Sequence, residues 1–369
     1  MGAIMPTSLN IKEASYRVGC GRYLQESGAL SLVGEEVKRL GAAKPFILGT
    51  KTPMALTRDT IEKSLSDSGL CGVFHLYNGF CCKEVLDTIA ESADFRTSDA
   101  VIGVGGGNIM DAAKYLAVKN GLPVINIPTS SATCAAQTPL SVCYSEEGRT
   151  VGSVHHKTEV DCVIADTDIL CRQPVRLFLS GVYDSLAKAI EIEQRLFTVP
   201  TAEQDIGLAS AYRLSVFIHE FFDENLAECV RDLKESKPSK LLCDAIWITV
   251  FMTGVVSGLS RGSNQTAIAH KLYESLRALF PREVYSFLHG EMVGIGLIVQ
   301  TAYNGKDDPT AFADRMKALG MPVTVRDINL DGSDETLDLI YEKVASSSAM
   351  KGTTDEELRR LRECLEYIR

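Results

Sequence analysis

His270 and His289 lie in one stretch, AIAHKLYESLRALFPREVYSFLHGEMVG (Ala267 to Gly294), whose apolar residues recur at helical spacing. Asp184, in GVYDSLAKAIE, follows Gly181 at what reads as the start of another helix. Each has an ordinary explanation: an acidic residue in a first turn is stabilised by the helix dipole, and a single histidine is commonly hydrogen-bonded in a core. Together, one carboxylate and two imidazoles on three helices form an oxygen and nitrogen set suited to a divalent metal with an open position.

A second signal is VIGVGGGNIMDAAKYLA, an apolar strand that runs into Gly105, Gly106 and Gly107 and then a helix. Glycines let a ligand approach the backbone, and the N–H groups of a helix start favour phosphate, so a dinucleotide is the natural candidate. The run is not GxGxxG, and a tight strand-to-helix turn needs glycine as well, so the motif alone leaves both readings open.

The elements that must position these residues are of two kinds. Before about residue 171, short β-branched runs alternate with helical patterns. KPFILGT, GVFHLYN, DAVIGVGGG and PVINIPT read as strands, with LTRDTIEKSLSDSGL, CKEVLDTIAESAD and IMDAAKYLAVKNG as helices between them. This predicts an α/β dinucleotide-binding domain over residues 1–171. From Arg172 the apolar spacing is helical throughout, which predicts an all-α domain over 172–369, with KESKPSK as a polar loop.

Composition narrows the function classes. At 369 residues and 45% hydrophobic the chain can bury about two cores. A net charge of −10 disfavours nucleic acid as a partner. The eleven scattered cysteines show no CxxC spacing and read as reduced thiols of a cytoplasmic protein. No signal-peptide core is evident, and no window reads as a membrane span.

The ordered motifs GVGGGNIMDAAK, PTSSATCAAQTPLSVCYSEEG, DTDILCRQPVRLFLSGVYDSLAKAIE, AIAHKLYES and LHGEMVGIGL resemble those of glycerol dehydrogenase and its relatives in the iron-containing alcohol dehydrogenase superfamily, over essentially the whole chain. The resemblance implies the group III alcohol dehydrogenase architecture, shared with dehydroquinate synthase. It implies a catalytic metal held by Asp184, His270 and His289 between two domains, with zinc, iron, manganese and nickel all compatible. It also implies NAD or NADP as cofactor and a homo-oligomer. The pyrophosphate is expected over Gly105, Gly106, Gly107, Asn108 and Asp111, and the nicotinamide beside Thr129, Ala132, Thr138, Leu140 and Tyr144. The implied reaction is hydride transfer between a secondary alcohol, a 1,2-diol, polyol or 2-hydroxy acid, and its ketone, with the metal as Lewis acid.

Three departures bear on specificity, two from the glycerol dehydrogenases and one, at Lys188, from the longer-chain iron alcohol dehydrogenases, which commonly have a further histidine ligand there. Thr50, followed by Lys51, replaces an aspartate that would bond the ribose of NAD and repel the 2′-phosphate of NADP. NADP(H) is therefore expected to be accepted or preferred, against the plainer reading that Thr50 bonds the NAD ribose. Cys134 stands where a substrate-contacting aspartate is usual, which disfavours glycerol and ceases to repel an anion. Lys188, four residues after Asp184, suits a substrate carboxylate or phosphate, against the plainer reading of a solvated lysine paired with Glu191. Glycerol-1-phosphate dehydrogenase is a minor alternative. A dehydroquinate synthase-like lyase is another, although its metal set resembles Glu plus two His.

Overall fold

A computed structural model describes residues 16–146, 148–196, 200, 204–261 and 265–369 of the protein. The strands are β1 (Tyr23–Glu26), β2 (Pro45–Gly49), β3 (Val73–Leu76), β4 (Ala100–Gly105), β5 (Val124–Pro128), β6 (Leu140–Tyr144), β7 (Thr150–His155) and β8 (Cys162–Asp166). Six form a sheet in the order β1-β8-β5-β4-β2-β3, every neighbouring pair parallel, while β6 and β7 make a separate antiparallel ribbon. The four strands expected from the sequence are β2 to β5. The outer strand β1, its neighbour β8 and the ribbon were not foreseen.

Between and after them run α1 (Val33–Arg39), α2 (Lys51–Asp67), α3 (Lys83–Ala90), α4 (Ala93–Arg96), α5 (Gly107–Lys119), α6 (Thr167–Leu170) and α7 (Val175–Leu196). The central strands β2, β4, β5 and β8 are buried along their whole length. That explains their continuous apolar runs, because strands of a parallel sheet covered on both faces show no alternation. One face of the core joins Ile47, Ile102, Val104, Ile125 and Ile164 to Leu30, Val33, Val37, Ile61 and Leu65.

The connections make a switch point. The chain leaves β2 through α2 toward β3 on one side, and leaves β4 through α5 toward β5 on the other. Open parallel sheets bind ligands beyond the carboxyl ends of strands where the order reverses. Here those ends are adjacent, since Gly49 pairs with Val104, and they carry Thr50 and the glycine turn.

After β8, all regular elements among the described residues are helical: α8 (Ile206–Lys234), α9 (Lys240–Trp247), α10 (Thr253–Leu259), α11 (Ile268–Leu279), α12 (His289–Asn304), α13 (Pro309–Ala318), α14 (Asp334–Ala345) and α15 (Asp355–Cys364). A π-helical turn, Ile248–Met252, joins α9 to α10. The change of secondary-structure type thus falls near residue 171. The compact units follow a different path, however: one comprises Gly19–Ser185 and Phe217–Val255, the other Leu186–Val216 and Val256–Arg369 with residues 16–18.

One expectation needs correction. Lys240–Leu259 is long and apolar enough to cross a membrane by length and composition, with a mean hydropathy of 1.7. Half of that window is buried inside the protein. Phe251 packs on Tyr23 of β1 at a ring distance of 4.9 Å, and Gln25 Nε2 donates to the Cys243 carbonyl at 2.8 Å. The apolar run is thus used to cover the β1 edge of the sheet.

Candidate active site

The glycine turn is built at the end of β4. Gly105 has φ +155°, a conformation side chains disfavour, and its carbonyl accepts from Thr129 N at 3.0 Å. Helix α5 starts at Gly107 with Asn108 exposed beside it. Thr50 is the N-cap of α2, yet its hydroxyl makes no capping bond; it is half-buried, and Lys51 is exposed. A side-chain oxygen at an N-cap normally accepts from the helix start.

Asp111 closes the run expected to face the pyrophosphate, and its side chain turns inward. It is buried; Oδ1 pairs with Lys114 Nζ at 2.9 Å and Oδ2 accepts from Val142 N at 3.1 Å. Burial pushes its carboxyl up, against the pull of Lys114. Ser141 Oγ donates to the Asp111 carbonyl at 2.8 Å and so accepts from His156 Nε2 at 2.7 Å. Burial and the Lys114 charge lower the His156 pKa to about 4.

That shift has a consequence for stability. The unfolded chain protonates His156 below its ordinary 6.5, the folded chain only below about 4, so stability is present above pH 6.5 and lost as pH falls through that window. Between pH 7 and pH 5 this group is expected to cost about 2 kcal/mol. Urea unfolding of His156→Gln, whose amide can still donate to Ser141, is expected to show a flatter dependence over this range. Equal slopes for both proteins would remove His156 from the account.

The next segment is pressed onto α7. Gln173 Oε1 accepts from Ser131 N at 2.7 Å, and Gln173 Nε2 donates to Ser131 Oγ at 2.9 Å. A Cβ on Gly181 would fall 1.8 Å from the Ser131 carbonyl oxygen, so only glycine admits this approach, one turn of α7 before Asp184. Cys134 is buried as well. Thr138 and Leu140 turn their carbonyls to Lys114, and Tyr144 stacks on Phe80 with ring centroids 5.3 Å apart. Thr129 and Ala132 belong to the same stretch.

Asp184 is in the middle of α7, not near a helix start, and no acidic residue occupies the first turn of that helix. The helix-dipole explanation therefore falls away. His270 is in the first turn of α11, and His289 opens α12. Ligand atoms of Asp184, His270 and His289 all lie within 4.8 Å of one another, the one such group of three or more among the described residues. Its donors, one carboxylate oxygen and two imidazole nitrogens, fit a divalent ion.

The support beneath the two imidazoles was largely invisible in the sequence. Ala267 cannot cap α11; instead Glu191 Oε1 accepts from Ala267 N and His270 N at 2.7 and 2.9 Å, and Gln300 Oε1 on α12 accepts from Ile268 N at 2.7 Å. Glu191 Oε2 meets His270 Nδ1 at 2.5 Å. Burial would raise the Glu191 carboxyl, but His270 and these N–H groups hold it below its ordinary range. With Nδ1 bonded, Nε2 keeps the lone pair a metal needs. Arg277 donates to the Val284 and Phe287 carbonyls, shaping the loop before His289, and Tyr273 sits edge-on to the His289 ring at 4.4 Å.

Lys188 is also not as the plainer reading had it. It is 3% exposed, so it is no solvated lysine, and its supposed partner Glu191 has both oxygens engaged by α11. The signal for Glu191 was present: it lies seven residues after Asp184, two turns along the same face.

The solved glycerol dehydrogenase of Schizosaccharomyces pombe superposes with a TM-score of 0.82 at 21% identity, covering 95% of this chain and 90% of that one, which shows the fold. Residues 20–167 match the iron-containing alcohol dehydrogenases. Glycerol dehydrogenase of Thermotoga maritima is 28% identical over 89% of both chains. Hydroxycarboxylate dehydrogenase A of Escherichia coli K12 is 33% identical over 71% of this chain and 72% of its own. The chain belongs to the iron-containing alcohol dehydrogenase family. As an iron-containing alcohol dehydrogenase it is a metal-dependent oxidoreductase that works with an NAD-type cofactor. The match over residues 20–167 contains the parallel sheet, the glycine turn and the segment Thr129–Tyr144.

Proposed function

We propose that this chain interconverts 2-hydroxy acids and 2-keto acids, with NADP(H) as the favoured cofactor and Asp184, His270 and His289 as ligands of its metal. The observation that carries the substrate class is Lys188, an ammonium buried one helical turn after Asp184. A lysine there, four residues from a proposed metal ligand on the same helix, is a cation of the kind that suits a substrate carboxylate. Cys134, in place of the aspartate of glycerol dehydrogenases, removes a charge that would repel it. The name of the Escherichia coli relative, hydroxycarboxylate dehydrogenase A, points the same way.

A divalent ion held by Asp184, His270 and His289 would supply Lewis acidity, and a bound nicotinamide cofactor would supply the hydride chemistry. The chain's own part is to place and to exclude. Glu191 fixes the His270 tautomer, Gly181 and Gln173 hold the Ser131–Ala132 backbone on α7, and Lys188 orients the acid group. The uncapping Thr50 hydroxyl and the exposed Lys51 favour a 2′-phosphate at the start of α2. The same reading has the chain acting as a cytoplasmic homo-oligomer with no nucleic-acid partner.

Initial rates with the metal-replete protein test this directly, using a series of 2-keto acids and hydroxyacetone with NADPH and with NADH. Keto acids with NADPH are expected to win. Lys188→Met is expected to lower kcat/KM for keto acids by about 100-fold, the order of one charge-assisted bond, while sparing hydroxyacetone. Thr50→Asp is expected to turn the preference to NADH. A wild-type preference for hydroxyacetone with NADH would return the enzyme to glycerol dehydrogenase chemistry.

A further inference from the structure

We infer that Lys114 is a positioning residue for the nicotinamide: its ammonium is the internal cation around which the chain from Ala135 to Leu140 folds. The inference rests on the dinucleotide reading above. Lys114 is 1% exposed although it is a lysine, and Nζ donates to the carbonyls of Ala135 at 2.7 Å, Thr138 at 2.9 Å and Leu140. Asp111 Oδ1, at 2.9 Å, supplies the counter-charge. Three carbonyls within six residues turned onto one ammonium is the arrangement a metal ion would impose on a loop.

Helix geometry explains why this matters. Lys114 lies seven residues, two turns, after Gly107, so one rigid helix carries both the glycine turn and the cation. Asp111 adds the bonds to Val142 N and, through its carbonyl, to Ser141 Oγ. The distance between the pyrophosphate end and the nicotinamide-lining segment is thereby set by α5 and not by the loop's own propensity. Loss of the ammonium takes the shared donor from three carbonyls, that of Thr138 buried and those of Ala135 and Leu140 partly so, and the segment must reorganise to satisfy them. The phosphate end, held by backbone N–H groups, has no reason to change.

The test separates the two ends of the cofactor in the holoenzyme. ADP carries the adenosine and pyrophosphate without the nicotinamide. Lys114→Met is expected to bind ADP as wild type does, while kcat falls about 100-fold, the cost typical of a misplacement near 1 Å. The deuterium isotope effect from cofactor labelled at the transferred hydride is expected to rise, because hydride transfer becomes limiting. In Lys114→Ala, ethylamine or propylamine is expected to restore activity and tetramethylammonium is not, since it has no N–H to donate. A parallel fall of ADP affinity and kcat, an unchanged kcat, or equal rescue by tetramethylammonium would each overturn the assignment. Should Lys114→Met not fold, Asp111→Asn serves: a lower kcat with unchanged ADP affinity supports the assignment, and unchanged kinetics reject it. Failure of the wild-type protein to bind ADP would be a different result, against the dinucleotide reading itself.

Discussion

Replacing His289 with alanine is expected to yield a folded protein that retains little metal and loses at least about 1,000-fold in kcat, the scale of a Lewis-acid contribution of several kcal/mol. His289 stands at the first position of α12, where its backbone role is independent of the ring. The N-terminus of that helix is held by Glu291, whose Oε2 accepts from Leu288 N at 2.7 Å. Its ring packs edge-on against Tyr273 and lies beside the His270 ring. His270→Ala should behave differently. It loses the metal in the same way, and it also strips the buried Glu191 carboxylate of its Nδ1 partner, so its Tm should fall further than that of His289→Ala. Metal content by mass spectrometry, kcat and Tm on the two variants read this contrast. Full metal content and activity in either one would exclude that histidine from the ligand set.

Glu191→Gln is the second change with a large expected effect, although Glu191 is not among the proposed ligands. The glutamine can still accept from Ala267 N and His270 N, so α11 remains capped. Toward His270 Nδ1, however, it presents an N–H donor or an oxygen, never a charge. In the first case the imidazole must place its proton on Nε2, where the metal needs a lone pair. Metal affinity is expected to drop by about 10- to 100-fold, the usual effect of losing such a carboxylate. Excess added metal should recover activity. Glu191→Ala goes further: two buried N–H groups at the start of α11 lose their acceptor, at a cost of about 1–3 kcal/mol each. Metal titration of activity in Glu191→Gln is the decisive measurement. A titration curve superimposed on wild type would show that Glu191 serves only as a cap.

These expectations rest on residues that were legible in the sequence to very different degrees. The strands β2 to β5 and their helices were readable because their signals are local: β-branched runs, 3.6-residue periodicity, and glycine where a strand turns sharply into a helix. The types of the three ligand residues were equally plain, since few other residues provide hard oxygen and imidazole donors in an otherwise apolar region. Strand β1 was not readable, because Tyr23–Glu26 is only four residues long and is a strand only through pairing with β8, almost the whole domain away. No window of the sequence reads as a membrane span, yet Lys240–Leu259 is long and apolar enough to be one by length and composition; half of it is buried, and it packs on the sheet edge.

The sequence by itself determined the residue types that can bind a metal, the glycine turn between strand and helix, the order of strand and helix, and the residues Thr50, Cys134 and Lys188 on which the proposed specificity turns. Tertiary structure alone decided how those residues are held. It turned Asp111 inward to serve Lys114, put Asp184 in the middle of a long helix, buried Lys188, and gave Glu191 to the start of α11 in place of the lysine three residues before it. The physical reason is range. Periodicity and capping preferences act over one or two turns of chain, whereas a buried charge takes whichever partner folding brings within hydrogen-bond distance, and for Glu191 those partners are 76 and 79 residues away.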